Sequence, residues 1–398
     1  MGPVIETALK KRFALSVCFI FAALLLVNGA ARSASPIPPD EAEQSRSTPA
    51  PASTTLTTTH TLFLPLIARD LITFQGPDIP FGYGWNVYWE NFDASNTSTS
   101  FGWVKFSVSE PTSLEAFCGA NSLPYDVLLR LNWAMAGVGI EYGEDRVYEV
   151  VSELKSLSGT GALCVKAIEI GNEPNLQFMY GGAVDPVIFA QQLCAQYDVV
   201  KTVDPNFIVV SGGLAPTGDI DDANVAINET VFLSRMLTYI RDTRGEAGAC
   251  FDVLGYHNYG FRTSHETDPN NFALCPSDMC FRGIEHAWDI LYGEYGVNKR
   301  IWSTEMGWLR DFTAECSGAV WAETFQGFQN SDQNQADQSV AAFEYARANW
   351  PWSGAMFVFN HDFNQRQPWK DNHCYDEQGW FAVDGYPAGS ALENMSKP

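Results

Sequence analysis

VKAIEIGNEPN, residues 165–175, is a short apolar run that halts on Gly171 and then presents Asn172 and Glu173. It reads as a buried strand ending in a carboxylate, and the stretch after it, DPVIFAQQLCAQYDVVKTV at 185–203, repeats apolar residues at three- and four-residue spacing as a helix does. The same strand-then-helix unit recurs outward in both directions. Candidate strands lie at 82–89 (GYGWNVYW), 102–108 (GWVKFSV), 126–133 (DVLLRLNW), 165–172, 207–213 (FIVVSGG), 251–259 (FDVLGYHNY), 300–308 (RIWSTEMGW) and 354–361 (GAMFVFNH). Helices are expected over EDRVYEVVSELKSL, the 185–203 stretch, ETVFLSRMLTYIRDTR, FRGIEHAWDILYGEYG and QADQSVAAFEYARANW. The first two connections, 90–101 and 109–124, carry little helical pattern. Eight such units without a glycine-rich phosphate turn after the first strand predict an α/β (β/α)8 TIM barrel, a single domain over residues 73–398, rather than an open doubly wound sheet.

Ahead of that domain the composition changes twice. Lys10, Lys11 and Arg12 precede an apolar run from Phe13 to Val27 and small residues at Gly29, Ala30 and Ala31, which reads as a secretory signal peptide over 1–31. The run is too short for the roughly 20 residues that span a bilayer, so no stable membrane insertion is expected after cleavage. Residues 32–72 form a linker, rich in Ser, Thr and Pro (TPAPASTTLTTTHT), followed by a short apolar arm, LFLPLIARDLI. The chain is therefore expected outside the cell. Eight cysteines remain beyond the signal (Cys118, Cys164, Cys194, Cys250, Cys275, Cys280, Cys316 and Cys374), an even number that suits disulfides, and Cys275 with Cys280 bracket a short loop. A formal net charge of −23 argues against nucleic acid as a partner.

In a barrel, reactive groups project from the carboxyl ends of the strands, so the residues that matter are those where apolar runs stop. Glu173 ends the fourth run and Glu305 ends the seventh, in IWSTEMGW. Glu169, four residues before Glu173, lies mid-strand and is expected to form a structural ion pair. The six histidines show no HExxH or similar spacing, so neither a metal nor a cofactor is expected, and no G-x-S-x-G elbow points to a serine nucleophile.

With IEIGNEPN, IWSTEMGW and GYHNYG in view, residues 80–390 resemble the clan A retaining glycoside hydrolases, the cellulase-like, mannanase-like and β-xylosidase-like barrels. The resemblance implies that Asn172 holds a sugar hydroxyl, that Glu173 is the general acid/base, that Glu305 is the nucleophile, and that Tyr259, with His257 beside it, bonds the nucleophile. It implies cleavage of β-glycosidic bonds of a polysaccharide or oligosaccharide by double displacement, with carbohydrate as the partner and a monomeric chain. A hydroxyl donated to Glu305 favours the ionised form that attacks. The competing expectation is a non-catalytic carbohydrate-binding barrel at the cell surface.

Aromatic faces pack on sugar rings, so Trp85, Trp89, Trp133 and Trp308, near strand ends, are expected to line the cleft, whereas Trp288, Trp350 and Trp352 are expected to pack the core. At the end of the eighth strand, FVFNHDF carries Phe359 where the resembling family has a tryptophan, leaving Asn360 or Trp369 as candidate sugar contacts. Lys105 and Arg130 are available as the cation that the family often carries near the second or third strand, and neither is assigned.

Overall fold

The computed structural model describes residues 73–77, 79, 81–88, 101–108, 125–131, 140–158 and 165–397. The expected signal and linker, Trp89, Trp133, Cys118 and Cys164 lie outside the described residues.

All eight expected strands form: β1 (Gly82–Asn86), β2 (Trp103–Val108), β3 (Asp126–Leu131), β4 (Val165–Ile170), β5 (Ile208–Ser211), β6 (Leu254–His257), β7 (Ile301–Met306) and β8 (Ser353–Val358). They pair in parallel in the order β5-β4-β3-β2-β1-β8-β7-β6. Parallel bridges from Val210 to Val253 and from Leu214 to Tyr256 join the two ends of that order and close the ring. The chain is a (β/α)8 barrel.

The strands are mostly apolar and buried, and the period-2 alternation sorts their side chains. Trp103, Leu128, Ala167, Val210, Trp302 and Phe357 fill the barrel interior. Their neighbours, among them Val127, Leu129, Ile168 and Ile170, form the layer beneath the helices. Gly82 and Gly84 belong to the interior set on β1, where a Cβ on Gly84 would sit 2.3 Å from the Phe357 ring.

The helices include α1 (Ile140–Ser158), α2 (Pro186–Val203), α3 (Glu229–Arg244), the short α4 (Ile284–Trp288), α5 (Asp332–Asn349) and α6 (Pro387–Asn394). Their starts follow capping chemistry: Asp185 accepts from the Val187 and Ile188 amides ahead of α2, Asn228 caps α3, and Ser331 caps α5. The helix expected at 281–296 departs from a regular one, running from a tight turn at Phe281–Gly283 through α4 into a wide π-type turn at Asp289–Glu294. There Trp288 is stacked between Tyr292, at 4.9 Å, and Trp352, at 5.3 Å, and Trp350 stacks on Trp352, so these tryptophans pack as expected.

Among the described residues three disulfides tie the connections. Cys194 on α2 reaches Cys250 ahead of β6, Cys275 pairs with Cys280, and Cys316 in the connection after β7 pairs with Cys374 in the connection after β8. Among the described residues no helix is long and apolar enough to cross a membrane.

Candidate active site

At the carboxyl ends of β4, β6 and β7 the chain turns sharply. Gly171 (φ 87°) and Glu173 (φ 44°) both lie in the left-handed region, an uncommon conformation for a glutamate and one that swings its side chain over the barrel mouth. Asn175 holds this turn in place: its side chain donates to the Ala215 and Ile227 carbonyls and accepts from the Ala215 amide. β6 and β7 pair so that His257 lies opposite Glu305.

Glu305, its side chain only 6% exposed, is surrounded by donors. Arg130 Nη1 lies 3.0 Å and Lys105 Nζ 3.4 Å from Oε1, and the Tyr259 hydroxyl donates to Oε2 at 2.6 Å. Burial by itself would raise the Glu305 pKa. The opposing charges of His257, Lys105 and Arg130, with the Tyr259 hydrogen bond, outweigh it and hold the carboxyl at about 2. Burial and then the Glu305 charge push the Tyr259 hydroxyl far above its usual range, so it remains a donor.

Glu173 has a different neighbourhood. Its Oε1 lies 3.0 Å from His257 Nδ1, which is also 3.5 Å from Glu305 Oε2. The two fixed cations therefore stand on Glu305, and an imidazole joins it to Glu173. His257 is fully buried and packed edge-on against Gly213, where a Cβ would fall 2.3 Å from Nε2; only a glycine leaves room for the ring. Arg130 Nη1 also donates to Asn172 Oδ1 at 2.6 Å, which turns the Asn172 amide nitrogen toward Met179 on the cavity wall.

Below this level lies the expected ion pair. Lys105 Nζ contacts Glu169 Oε2 at 2.8 Å with both side chains fully buried, and it donates to the Thr304 carbonyl. Lys105 thus bridges a structural carboxylate and Glu305. Oxygen or nitrogen atoms of Glu173, His257 and Glu305 lie within 4.8 Å of one another and could hold a cation. Lys105 and Arg130 already supply two positive charges to that spot, so a metal would enter against like charge.

These groups open into a cavity of about 380 Å³. Asn172, Glu173, Tyr259 and Glu305 line it, as do Lys105 and Arg130. His257 stands directly behind the carboxylates. Three expected contacts are corrected. Trp85 is fully buried on the helix-facing side of β1, stacked at 3.7 Å on Phe101, because alternation along β1 gives the interior to Gly82 and Gly84. Trp308 is fully buried and seated on Gly260, donating to the Thr263 carbonyl, so it plugs the loop after β6. Asn360 is spent internally, donating to the Gln378 carbonyl and accepting from the Phe363 amide. Trp369 stacks on His373 away from the cavity, and Phe359 lines it instead.

The unassigned residues Lys105 and Arg130 are central, and the signal for them was present in the sequence. A single charge inside a buried strand must be paired, and VKF and LRL each hold one on the interior parity, as does IEI with Glu169.

No family model matches the chain, and no curated protein matches it in sequence. Among solved structures it resembles a glucosidase from Croceicoccus marinus (TM-score 0.52, 16% identity, covering 79% of this chain and 67% of that one). It also resembles a monomeric β-xylosidase from Caulobacter crescentus CB15 (TM-score 0.51, 13% identity, 81% and 69%) and a GH39 β-xylosidase from Caulobacter crescentus (TM-score 0.51, 14% identity, 81% and 72%). All three are glycosidases by name, and at these identities the likeness is one of fold.

Proposed function

We propose that the chain is a secreted retaining glycoside hydrolase that cleaves β-glycosidic bonds by double displacement. The observation that carries this reading is the approach of Glu173 and Glu305 carboxylate oxygens to within 4.8 Å of each other at the barrel mouth. Retention requires carboxyl groups about 5 to 5.5 Å apart, whereas inverting enzymes leave a wider gap for water. The difference in surroundings supports the division of roles. Glu305, kept ionised by the opposing charges around it and by the Tyr259 hydroxyl, is the nucleophile; Glu173, which neither Lys105 nor Arg130 contacts, is the general acid/base.

In the first step a Glu305 oxygen bonds to the anomeric carbon while the bond to the leaving oxygen breaks, and the Glu173 proton moves to that oxygen. In the second, Glu173 takes a proton from water, the water oxygen bonds to the anomeric carbon, and the ester to Glu305 breaks. Asn172, whose oxygen is taken by Arg130 and whose amide nitrogen has only the weak acceptor Met179 Sδ at 3.7 Å, holds a hydroxyl of the sugar ring in this reading. Three disulfides among the described residues, and the signal-like start of the sequence, support an extracellular site of action.

The test is hydrolysis of a panel of β-glycosides, with a slow fluorinated glycoside used to trap the ester. Mass spectrometry should place the sugar on Glu305. Hydrolysis with inversion would overturn the mechanism, and sugar binding by the wild type without any turnover would favour a binding barrel instead.

A further inference from the structure

The cavity is two materials. Among the described residues, the lining on the Lys105, Arg130 and Asn172 side of Glu173 and Glu305 is polar, and elsewhere it is dominated by phenylalanine. Phe261, Phe325, Phe328, Phe359, Phe363 and Phe381 line it from the connections after β6, β7 and β8. Across the cavity, Phe178, Met179, Ala215 and Pro216 continue the apolar surface beside Glu173. The wall is a built structure. Phe261, Leu309 and Phe325 belong to a second hydrophobic cluster above the barrel, with Phe328 and Phe381 packed against it, and the Cys316–Cys374 disulfide joins two of the three connections that carry it.

The polar groups within the wall are mostly occupied. Arg366 Nη2 donates to both Asp376 carboxylate oxygens, at 2.8 and 2.7 Å, and Nη1 donates to Gln378. Glu377, almost fully buried, presents one unpartnered oxygen, Oε1. A second sugar ring placed here would bring several hydroxyls against phenyl rings, and each one left without a partner would weaken binding about 5- to 150-fold. Among the described residues, Asn86, Lys105, Arg130, Asn172 and Tyr259 line the cavity together with Glu173 and Glu305, and one sugar ring there would take these polar partners.

Resting on the glycosidase reading, we propose that the substrate is a glycoside of an apolar, non-carbohydrate aglycone, with one sugar ring held at Glu173 and Glu305 and the aglycone packed against the phenylalanine wall. An alkyl series tests this cleanly, because methyl and longer alkoxides are leaving groups of nearly equal reactivity, so that only packing changes. Methyl, butyl, hexyl and octyl β-glycosides of glucose, galactose, mannose and xylose would be compared with the β-linked disaccharides of the same sugars, all below micelle-forming concentrations.

The expected result, for the sugar accepted, is a kcat/KM that climbs with chain length by up to about fourfold per methylene, and alkyl glycosides preferred over the disaccharide. Phe328→Asn should flatten that climb. Equal rates for methyl and octyl glycosides with the disaccharide preferred would overturn the aglycone assignment and leave the glycosidase reading intact. If nothing is hydrolysed the glycosidase reading falls, and calorimetry then judges the wall alone. Octyl glycoside binding tighter than methyl, with a negative heat-capacity change, upholds an apolar ligand, and equal binding overturns it.

Discussion

The two ends of the cavity handle charge in opposite ways. Where β2, β3, β4 and β7 meet, three buried charged side chains, Lys105, Glu169 and Glu305, gather with the partly exposed Arg130, and each is paired at 3.4 Å or less. The wall above β8 also buries carboxyls, but there burial dominates. It pushes Glu377 up to about 8, with Asp376 adding to the rise, and takes Asp362 to about 7. Glu305 is thus an anion at one end and Glu377 a neutral group at the other, and the difference lies in whether a cation can reach the carboxyl. Arg366, which could have served Glu377, is committed to Asp376.

The comparison breaks most visibly at Glu305. Replacing it with Gln keeps shape and burial and removes the charge that Lys105 and Arg130 are arranged around. Under the proposed mechanism kcat should fall by about 10⁴-fold or more, with folding retained, as checked by circular dichroism and by turnover of the best glycoside. A variant keeping a tenth of wild-type activity would remove Glu305 from the chemistry.

Lys105 comes next. Lys105→Met fits an apolar chain into the same channel but leaves Glu169 and Glu305 facing one another without the cation between them. Taking one partner from a buried ion pair costs about 3–5 kcal/mol, so urea unfolding should show a loss of that order at pH 7. The loss should shrink on acidification, as the stranded carboxylates take up protons. A loss under 1 kcal/mol would mean that water reaches the pair.

Tyr259→Phe removes one hydrogen bond to Glu305 and keeps the ring. Because the folded Glu305 pKa lies below its ordinary value, activity that needs the ionised form is present above that pKa and lost as pH falls through it. Without the hydroxyl the pKa rises, and the acid limb of kcat/KM should move upward by about one pH unit, with roughly a tenfold drop at its optimum. An unmoved limb would mean that the two cations alone set Glu305.

The same contrast explains what the sequence made legible. A strand ending in a carboxylate is a local event, so the eight strands, Glu173 and Glu305 could be read from apolar runs and where they stop. The Cys275–Cys280 pair was readable from its short loop. Trp85 was misread although the information was there: GYGWN alternates, and two glycines on one parity leave the tryptophan on the other, toward the helices. Trp308 and Asn360 were less accessible, because their positions depend on loops, on Gly260 below one and on Gln378 and Phe363 around the other. The phenylalanine wall was the least legible. Its members come from three connections that are distant in sequence, and each phenylalanine by itself looks like ordinary core.

The smallest expected effect is at Glu377, and it sharpens the comparison because the chemical change equals that at Glu305. Glu377→Gln exchanges a carboxyl that is already neutral at pH 7 for a neutral amide of the same shape, so kcat/KM should stay within about threefold of wild type. Its signature is in stability. In wild type the folded pKa of about 8 exceeds the unfolded value near 4.5, so the unfolded chain releases its proton first as pH rises. Stability therefore declines between those two values. The glutamine variant escapes that decline: it should melt at a higher temperature than wild type at pH 8 and at the same temperature at pH 4. A lower melting temperature at pH 8 would show that the carboxylate is ionised and paired, and that the two ends of the cavity treat buried acids alike.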